Sequence, residues 1–155
     1  METVRTVRDL LRGRELQLYA ISPQDTVYDA LQEMARRNVG ALPVMAGDDL
    51  VGIFSERDYA RKVILHGRSS KEMSVSEIMS TRVAYVRPNQ TIDDCMALMT
   101  QLRIRHLPVI DQEKVTGMVS MRDVVEDIIS EKDFIIEQLV NYIQTERSPV
   151  PPIRP

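Results

Sequence analysis

Two heptapeptides decide the reading of this chain: "GIFSERD" at residues 52–58 and "GMVSMRD" at residues 117–123. Gly52, Ser55, Arg57 and Asp58 recur as Gly117, Ser120, Arg122 and Asp123, at a constant offset of 65. Working outward, residues 21–64 align with residues 86–129 without a gap. Pro23/Pro88, Thr26/Thr91, Asp29/Asp94, Met34/Met99 and the "LPV" triplets at 42–44 and 107–109 are further identical pairs. A match this long, with the same apolar periodicity throughout, means that one structural unit is written twice. "TVRDLL" (6–11) and "SVSEIM" (74–79) extend it backwards as similar short helical leaders, the first connection being three residues longer.

Within each copy the periods are legible. Thr26 and Thr91 follow a proline-containing turn and suit helix N-caps. Val27, Ala30, Leu31 and Met34 then recur at helical spacing, as do Ile92, Cys95, Met96 and Met99. "ALPVM" and "HLPVI" read as short strands, "AGDD" and "DQEK" as polar turns, "LVGIF" and "VTGMV" as second strands. Ser55 and Ser120 open another helix. The unit is therefore α/β, strand–helix–strand–strand–helix. The proline inside each "LPV" suits a strand start or an edge, not a central ladder position.

Two such units, neither stable alone at this size, should pack about a pseudo-twofold axis. The expected division is repeat 1 at residues 6–66, a polar linker at 67–73 and repeat 2 at 74–130. A C-terminal helix at 131–146 and a mobile proline-rich tail at 147–155 complete it.

Composition narrows the function classes. A net charge of −3 gives no global reason to expect nucleic acid or an anionic membrane as partner. The single cysteine, Cys95, excludes an intrachain disulfide and a cysteine-based zinc cage, and its place on a buried stripe suits core packing. His66 and His106 lack metal spacing with any carboxylate. No apolar run approaches the roughly 20 residues of a membrane span, and the charged start lacks a secretory signal's apolar segment. A cytoplasmic chain is expected. No Ser–His–Asp set, nucleophile elbow or general acid/base pair can be assembled, so the chain is not expected to be an enzyme.

The Ser–Asp pairs admit two readings. S-x-x-D at a helix start is a capping box, the serine accepting from a backbone N–H and the aspartate reaching back to another. Capping gives no role to the recurring arginine, and a recurring strand glycine points to close approach of a ligand or of backbone. A carboxylate can accept from two ribose hydroxyls, serine and arginine suit phosphate, and helix N-termini favour anions.

These residues resemble the CBS domain, the repeat named after cystathionine β-synthase. Its closing signature is Gly, two apolar residues, Ser or Thr, two variable residues, then Asp. The resemblance covers roughly residues 6–130. It implies tandem units forming a disc-like module with two clefts that bind adenosine-containing ligands. Carried over, Asp58 and Asp123 would each bind a ribose. Ser55 and Ser120 would meet phosphate or ribose, and Arg57 and Arg122 would lie near phosphate. Ser22–Pro23 and Arg87–Pro88, with Ala41, Leu42, Pro43, Leu107 and Pro108, would line the adenine slot.

Arg105–His106 stands where the first repeat has Gly40–Ala41. Basic residues there contact phosphate in some family members, so the cleft containing Asp123 is expected to hold phosphate better. A solvated arginine and a hydrogen-bonded histidine are the alternatives. Lys71, in "GRSSK" (67–71), is an outlying phosphate candidate, though the Walker pattern is absent.

Past Ile129 the apolar stripe runs on into "FIIEQLVNYI" (134–143), which either folds back over its own module or packs on another chain. Because paired CBS modules commonly dimerise, the resemblance favours a homodimer. The resulting reading is a non-catalytic regulatory module that requires no cofactor. An adenine nucleotide (AMP, ATP or NAD(H)) would shift its conformation and thereby its binding to a regulated protein. S-adenosylmethionine ranks lower, its sulfonium gaining nothing from the arginines. A ligand-free dimerisation or interaction module and a nucleotide-using enzyme are the alternatives.

Overall fold

The computed structural model describes residues 4–12 and 18–146. Capping chemistry sets where its principal helices begin. The Thr26 hydroxyl accepts from the Asp29 N–H at 3.0 Å, starting α2 (Val27–Arg37) after the short α1 (Val7–Leu11). Thr91 does the same with Asp94 at 3.0 Å and starts α4 (Ile92–Leu102). Both helices end in a left-handed residue, Asn38 (φ 54°) and Arg103 (φ 55°). The equivalence read from sequence therefore reaches the backbone.

An antiparallel hairpin follows each of these helices: β1 (Ala41–Ala46) with β2 (Asp49–Ser55), and β3 (His106–Asp111) with β4 (Lys114–Ser120). Gly47 (φ 64°) serves the first turn. In the second, Gln112 (φ 50°) and Glu113 (φ 65°) carry the two positive φ values that match strand twist. β2 leads into α3 (Glu56–Lys62) and β4 into α5 (Met121–Glu146).

The first strand expected in each repeat is reduced to one parallel bridge, Ile21 to Val44 and Val86 to Val109. Proline is the reason. The Ile21 N–H donates to the Pro43 carbonyl at 3.1 Å, and the Met45 N–H donates to Ile21 at 2.9 Å. The Pro43 nitrogen faces the same side and has no hydrogen to give, so the ladder cannot extend. Pro108 repeats this against Val86.

Two apolar clusters form the core, one per repeat, and each is completed by the other repeat's leader. Val7 and Leu10 of the first leader pack with Val86, Cys95, Met99 and Val119. Val75 and Ile78 of the second, with Met73 just before it, pack with Val27, Met34 and Phe54. Bridges Thr6–Thr91 and Thr26–Ser74 mark the exchange. Burying a Val, Leu, Ile or Met side chain contributes about 1.5–3 kcal/mol, so each repeat depends on its neighbour's leader. Each core cluster thus draws on residues of both sequence units, 6–66 and 74–130. The expected linker is also ordered by packing: the Tyr28 N–H donates to Ser70 and the Val27 N–H to Met73, both at 2.9 Å.

The repeats diverge at their last helices. α3 ends at Lys62, and a 3-10 turn at Ile64–His66 closes on left-handed Gly67 (φ 65°). α5 instead continues unbroken for 26 residues. The helix expected at 131–146 is therefore the far half of α5, and it does not fold back over its module. Phe134, Ile135, Ile136, Leu139, Val140, Tyr142 and Ile143 are all exposed. The tail at 147–155 lies outside the described residues. Among the described residues no helix is long and apolar enough to cross a membrane.

Candidate functional site

Both Ser–Asp pairs form the capping box. At the start of α3 the Asp58 N–H donates to Ser55 Oγ at 3.1 Å, and the Ser55 N–H and hydroxyl both donate to Asp58 Oδ2 at 3.0 Å. At the start of α5 the Asp123 N–H donates to Ser120 Oγ at 3.1 Å, and the Ser120 N–H returns to Asp123 Oδ2 at 2.8 Å. Asp58 does more than cap. Its Oδ1 accepts from Ser80 Oγ at 3.2 Å and pairs with Lys62 Nζ at 3.1 Å, in a side chain left with little exposure.

Gly52 explains how Ser80 arrives there. Ile53 and Ser80 exchange backbone hydrogen bonds at 2.9 and 2.8 Å. A Cβ on Gly52 would lie 2.9 Å from the Ser80 carbonyl oxygen and 2.8 Å from the Met79 sulfur. The close approach is by backbone. Gly117 meets only the Leu11 methyls, at 3.6 Å.

The arginines also part company. Arg57 Nη1 donates to the Arg103 carbonyl at 3.1 Å, satisfying the C-terminal end of α4 and tying repeat 1 to repeat 2. Arg122 points outward, 78% exposed, in an i,i+4 pair with Glu126 at 2.9 Å.

A cavity of about 870 Å³ opens between the repeats. Ser55, Arg57 and Asp58 enter it from repeat 1; Arg105 and His106 enter from repeat 2. Arg105 and His106, expected in the cleft of Asp123, thus line the cavity of Asp58, while His106 still pairs across the hairpin with Ser120. His106 stands against Gly40, where an added Cβ would meet its ring at 3.4 Å. Burial pushes the His106 pKa below the ordinary imidazole value; the nearby Asp123 opposes this and Arg105 adds to it. Ser120, Arg122 and Asp123 do not line this cavity. The counterpart of its Ser80–Ala84 wall is the connection at residues 12–19, of which 13–17 lie outside the described residues.

The residues expected to line an adenine slot lie away from this cavity. Leu42 and Leu107 are core residues, Ala41, Pro43, Pro108 and Pro23 are buried, and none of them lines the large cavity. The two turns serve the leaders instead: the Ser76 N–H donates to the Pro23 carbonyl at 3.0 Å and the Arg8 N–H to the Pro88 carbonyl at 2.9 Å. Ser22 spends its N–H on Asp25 and its hydroxyl on Gln24. Arg87 and Pro88 border a separate cavity of about 250 Å³ beside Arg8 and Asp111. Lys71 lines neither cavity; its Nζ sits 5.0 Å from the Tyr28 ring centre, a cation–π contact on α2.

Sequence reasoning missed two stretches of cavity wall. Arg82, Val83 and Ala84 come from the connection after the second leader; Leu102, Arg103 and Ile104 come from the end of α4. Their signal was slight. "TRVA" (81–84) and "LRI" (102–104) each set apolar residues beside an arginine, outside the helical and strand periods. Together these residues give the cavity an apolar wall suited to a planar base and a basic wall suited to an anion.

The family model of the CBS domain matches residues 7–64 and 75–130. The chain is 45% identical over 125 residues to a mitochondrial CBS domain-containing protein of Arabidopsis thaliana, covering 77% of this chain and 61% of that one. With a CBS domain-containing protein of Bacillus subtilis it shares 36% identity over 74% of this chain and 81% of the other. A crystal structure of a CBS domain, 48% identical, superposes with a TM-score of 0.78 over 82% of this chain and 99% of that one.

Proposed function

The chain belongs to the CBS domain family as a tandem pair of its repeats, and from that premise we propose that the cleft at Asp58 binds an adenine nucleotide (AMP, ATP or NAD(H)) in a non-catalytic regulatory role. One observation carries the reading: Ser55, Arg57 and Asp58 of repeat 1 and Arg105 and His106 of repeat 2 converge on one cavity. Its volume, about 870 Å³, falls within the ~300–1,000 Å³ typical of small-molecule sites. Ile53, Val83, Ala84 and Ile104 offer the base an apolar wall. Asp58 would exchange Ser80 and Lys62 for the two ribose hydroxyls, keeping Oδ2 on the helix cap. The capping box and the ligand grip are then two uses of one carboxylate. Because both repeats line the site, a ligand there favours the geometry that closes around it, and the altered surface acts on a regulated protein.

Thermal unfolding against AMP, ADP, ATP, NAD, NADH and S-adenosylmethionine tests this. A nucleotide at about 100 times its Kd adds roughly 2.7 kcal/mol to stability. The shift should vanish in Asp58→Ala and persist in Asp123→Ala. Absence of any nucleotide shift in the wild-type protein would overturn the reading.

The exposed half of α5 favours a second property, self-association. Ile129, Ile136, Leu139 and Ile143 are exposed at the spacing of one helix face, which a second copy's α5 would cover, making a homodimer. Light scattering of the wild type against Ile136→Glu/Leu139→Glu distinguishes dimer from monomer; a monomeric wild type would refute it. The protein is read as cytoplasmic, which a fluorescent fusion checks.

A further inference from the structure

Resting on the reading of this cleft as a nucleotide site, we propose that it selects its ligand by phosphate number. A chain of two or more phosphates is preferred over a monophosphate, and that chain draws the two repeats together. Six cationic side chains line the cavity (Arg57, Arg61, Lys62, Arg82, Arg103 and Arg105) against two carboxylates, Glu56 and Asp58. This local excess of positive charge sits in a chain whose net charge is −3.

Two of the six are engaged, Arg57 with the Arg103 carbonyl and Lys62 with Asp58 and the Ile78 carbonyl. The side chains of Arg61, Arg82, Arg103 and Arg105 make no hydrogen bond or ion pair among the described residues. Four unneutralised guanidiniums facing one cavity need more acceptor oxygens than one phosphate offers, because each guanidinium fork takes two. A diphosphate or triphosphate supplies them.

The placement of these arginines gives the ligand its mechanical effect. Arg61 is on α3 of repeat 1, while Arg103 and Arg105 lead into β3 of repeat 2, and Arg82 is on the connection after the second leader. With no anion present, like charges on facing walls repel across the cavity. A polyanion reverses that sign and pulls the walls inward. The arginines are exposed, so the effect is screened by salt.

Calorimetric titration without magnesium, using adenosine, AMP, ADP, ATP and inorganic tripolyphosphate, reads the preference directly. Affinity should rise at least tenfold from AMP to ATP, tripolyphosphate should bind, and adenosine should bind least. Arg82→Ala and Arg105→Ala, with circular dichroism showing an intact fold, should narrow the ATP/AMP ratio, as should raising salt from about 0.05 to 0.5 M. AMP binding as tightly as ATP, or variants weakening both equally, would overturn the inference and leave the nucleotide reading standing. Tripolyphosphate binding equal to that of ATP supports the phosphate preference and overturns the adenine requirement. No binding by any probe overturns both.

Discussion

Replacing Gly52 by alanine should separate two glycines that occupy identical places in the duplicated sequence. The added Cβ would lie 2.8 Å from Met79 Sδ and 2.9 Å from the Ser80 carbonyl oxygen. The methionine can swing aside. The carbonyl cannot, because Ser80 is held by reciprocal backbone bonds to Ile53 at 2.9 and 2.8 Å. Overpacking of this kind costs about 1–3 kcal/mol. Removing a glycine from a strand returns about 0.5–1 kcal/mol. Gly52→Ala should therefore be destabilising, by up to about 2.5 kcal/mol. At Gly117 the nearest atoms are the Leu11 methyls at 3.6 Å, an ordinary contact, so only the gain remains and Gly117→Ala should be neutral or slightly stabilising. With a urea m-value of about 1–3 kcal/mol/M, the two variants' midpoints should separate by roughly 1 M. Because Ser80 also lines the cavity, its displacement in Gly52→Ala should weaken nucleotide binding as well. Coincident urea midpoints, or a larger loss at Gly117, would refute the argument.

Two further perturbations probe single side chains. His106 titrates below its ordinary value of 6.5 because burial disfavours the imidazolium. Below that pH the unfolded chain therefore takes up the proton first, and stability falls as pH drops towards the folded value. Urea midpoints of the wild type between pH 7.5 and 5 should decline more steeply than those of His106→Gln; parallel curves would contradict this. The Cys95 thiol is fully buried and pushed up to about 11 by burial, with Asp94 adding to the shift. A thiol-reactive chromophore at pH 8 should modify it only on unfolding, and rapid labelling of native protein would argue against the packing described.

The duplicated frame was legible because it rests on local rules. Thr26 and Thr91 cap the predicted helices, the apolar stripes at Ala30 and Cys95 face the core, and the prolines of "LPV" lie on the outer edge of each hairpin. The pairing between repeats was not legible. Nothing local in "TVRDLL" says that Val7 will bury itself against Val86 and not within its own repeat.

The same limit governed the site. Asp58 and Arg105 were found as residue types, but the reading kept Arg105 with the aspartate of its own repeat. In the fold it lines one cavity with the aspartate of the other. Leu42 and Leu107 read equally well as slot or core; only burial separates those roles. The resemblance places Arg57 near phosphate; its hydrogen bond to a helix C-terminus 46 residues away is not legible in the sequence.

The central claim is that an adenine nucleotide lies in the cavity between the repeats, on Asp58. Backbone amide chemical-shift mapping of the protein titrated with ATP tests it most directly. The largest changes should fall in residues 55–62, 80–84 and 102–106, the stretches that line the cavity. Changes confined to Arg87–Asn89 and Ile110–Gln112, around the smaller cavity, would contradict the claim, as would a spectrum that ATP leaves unmoved.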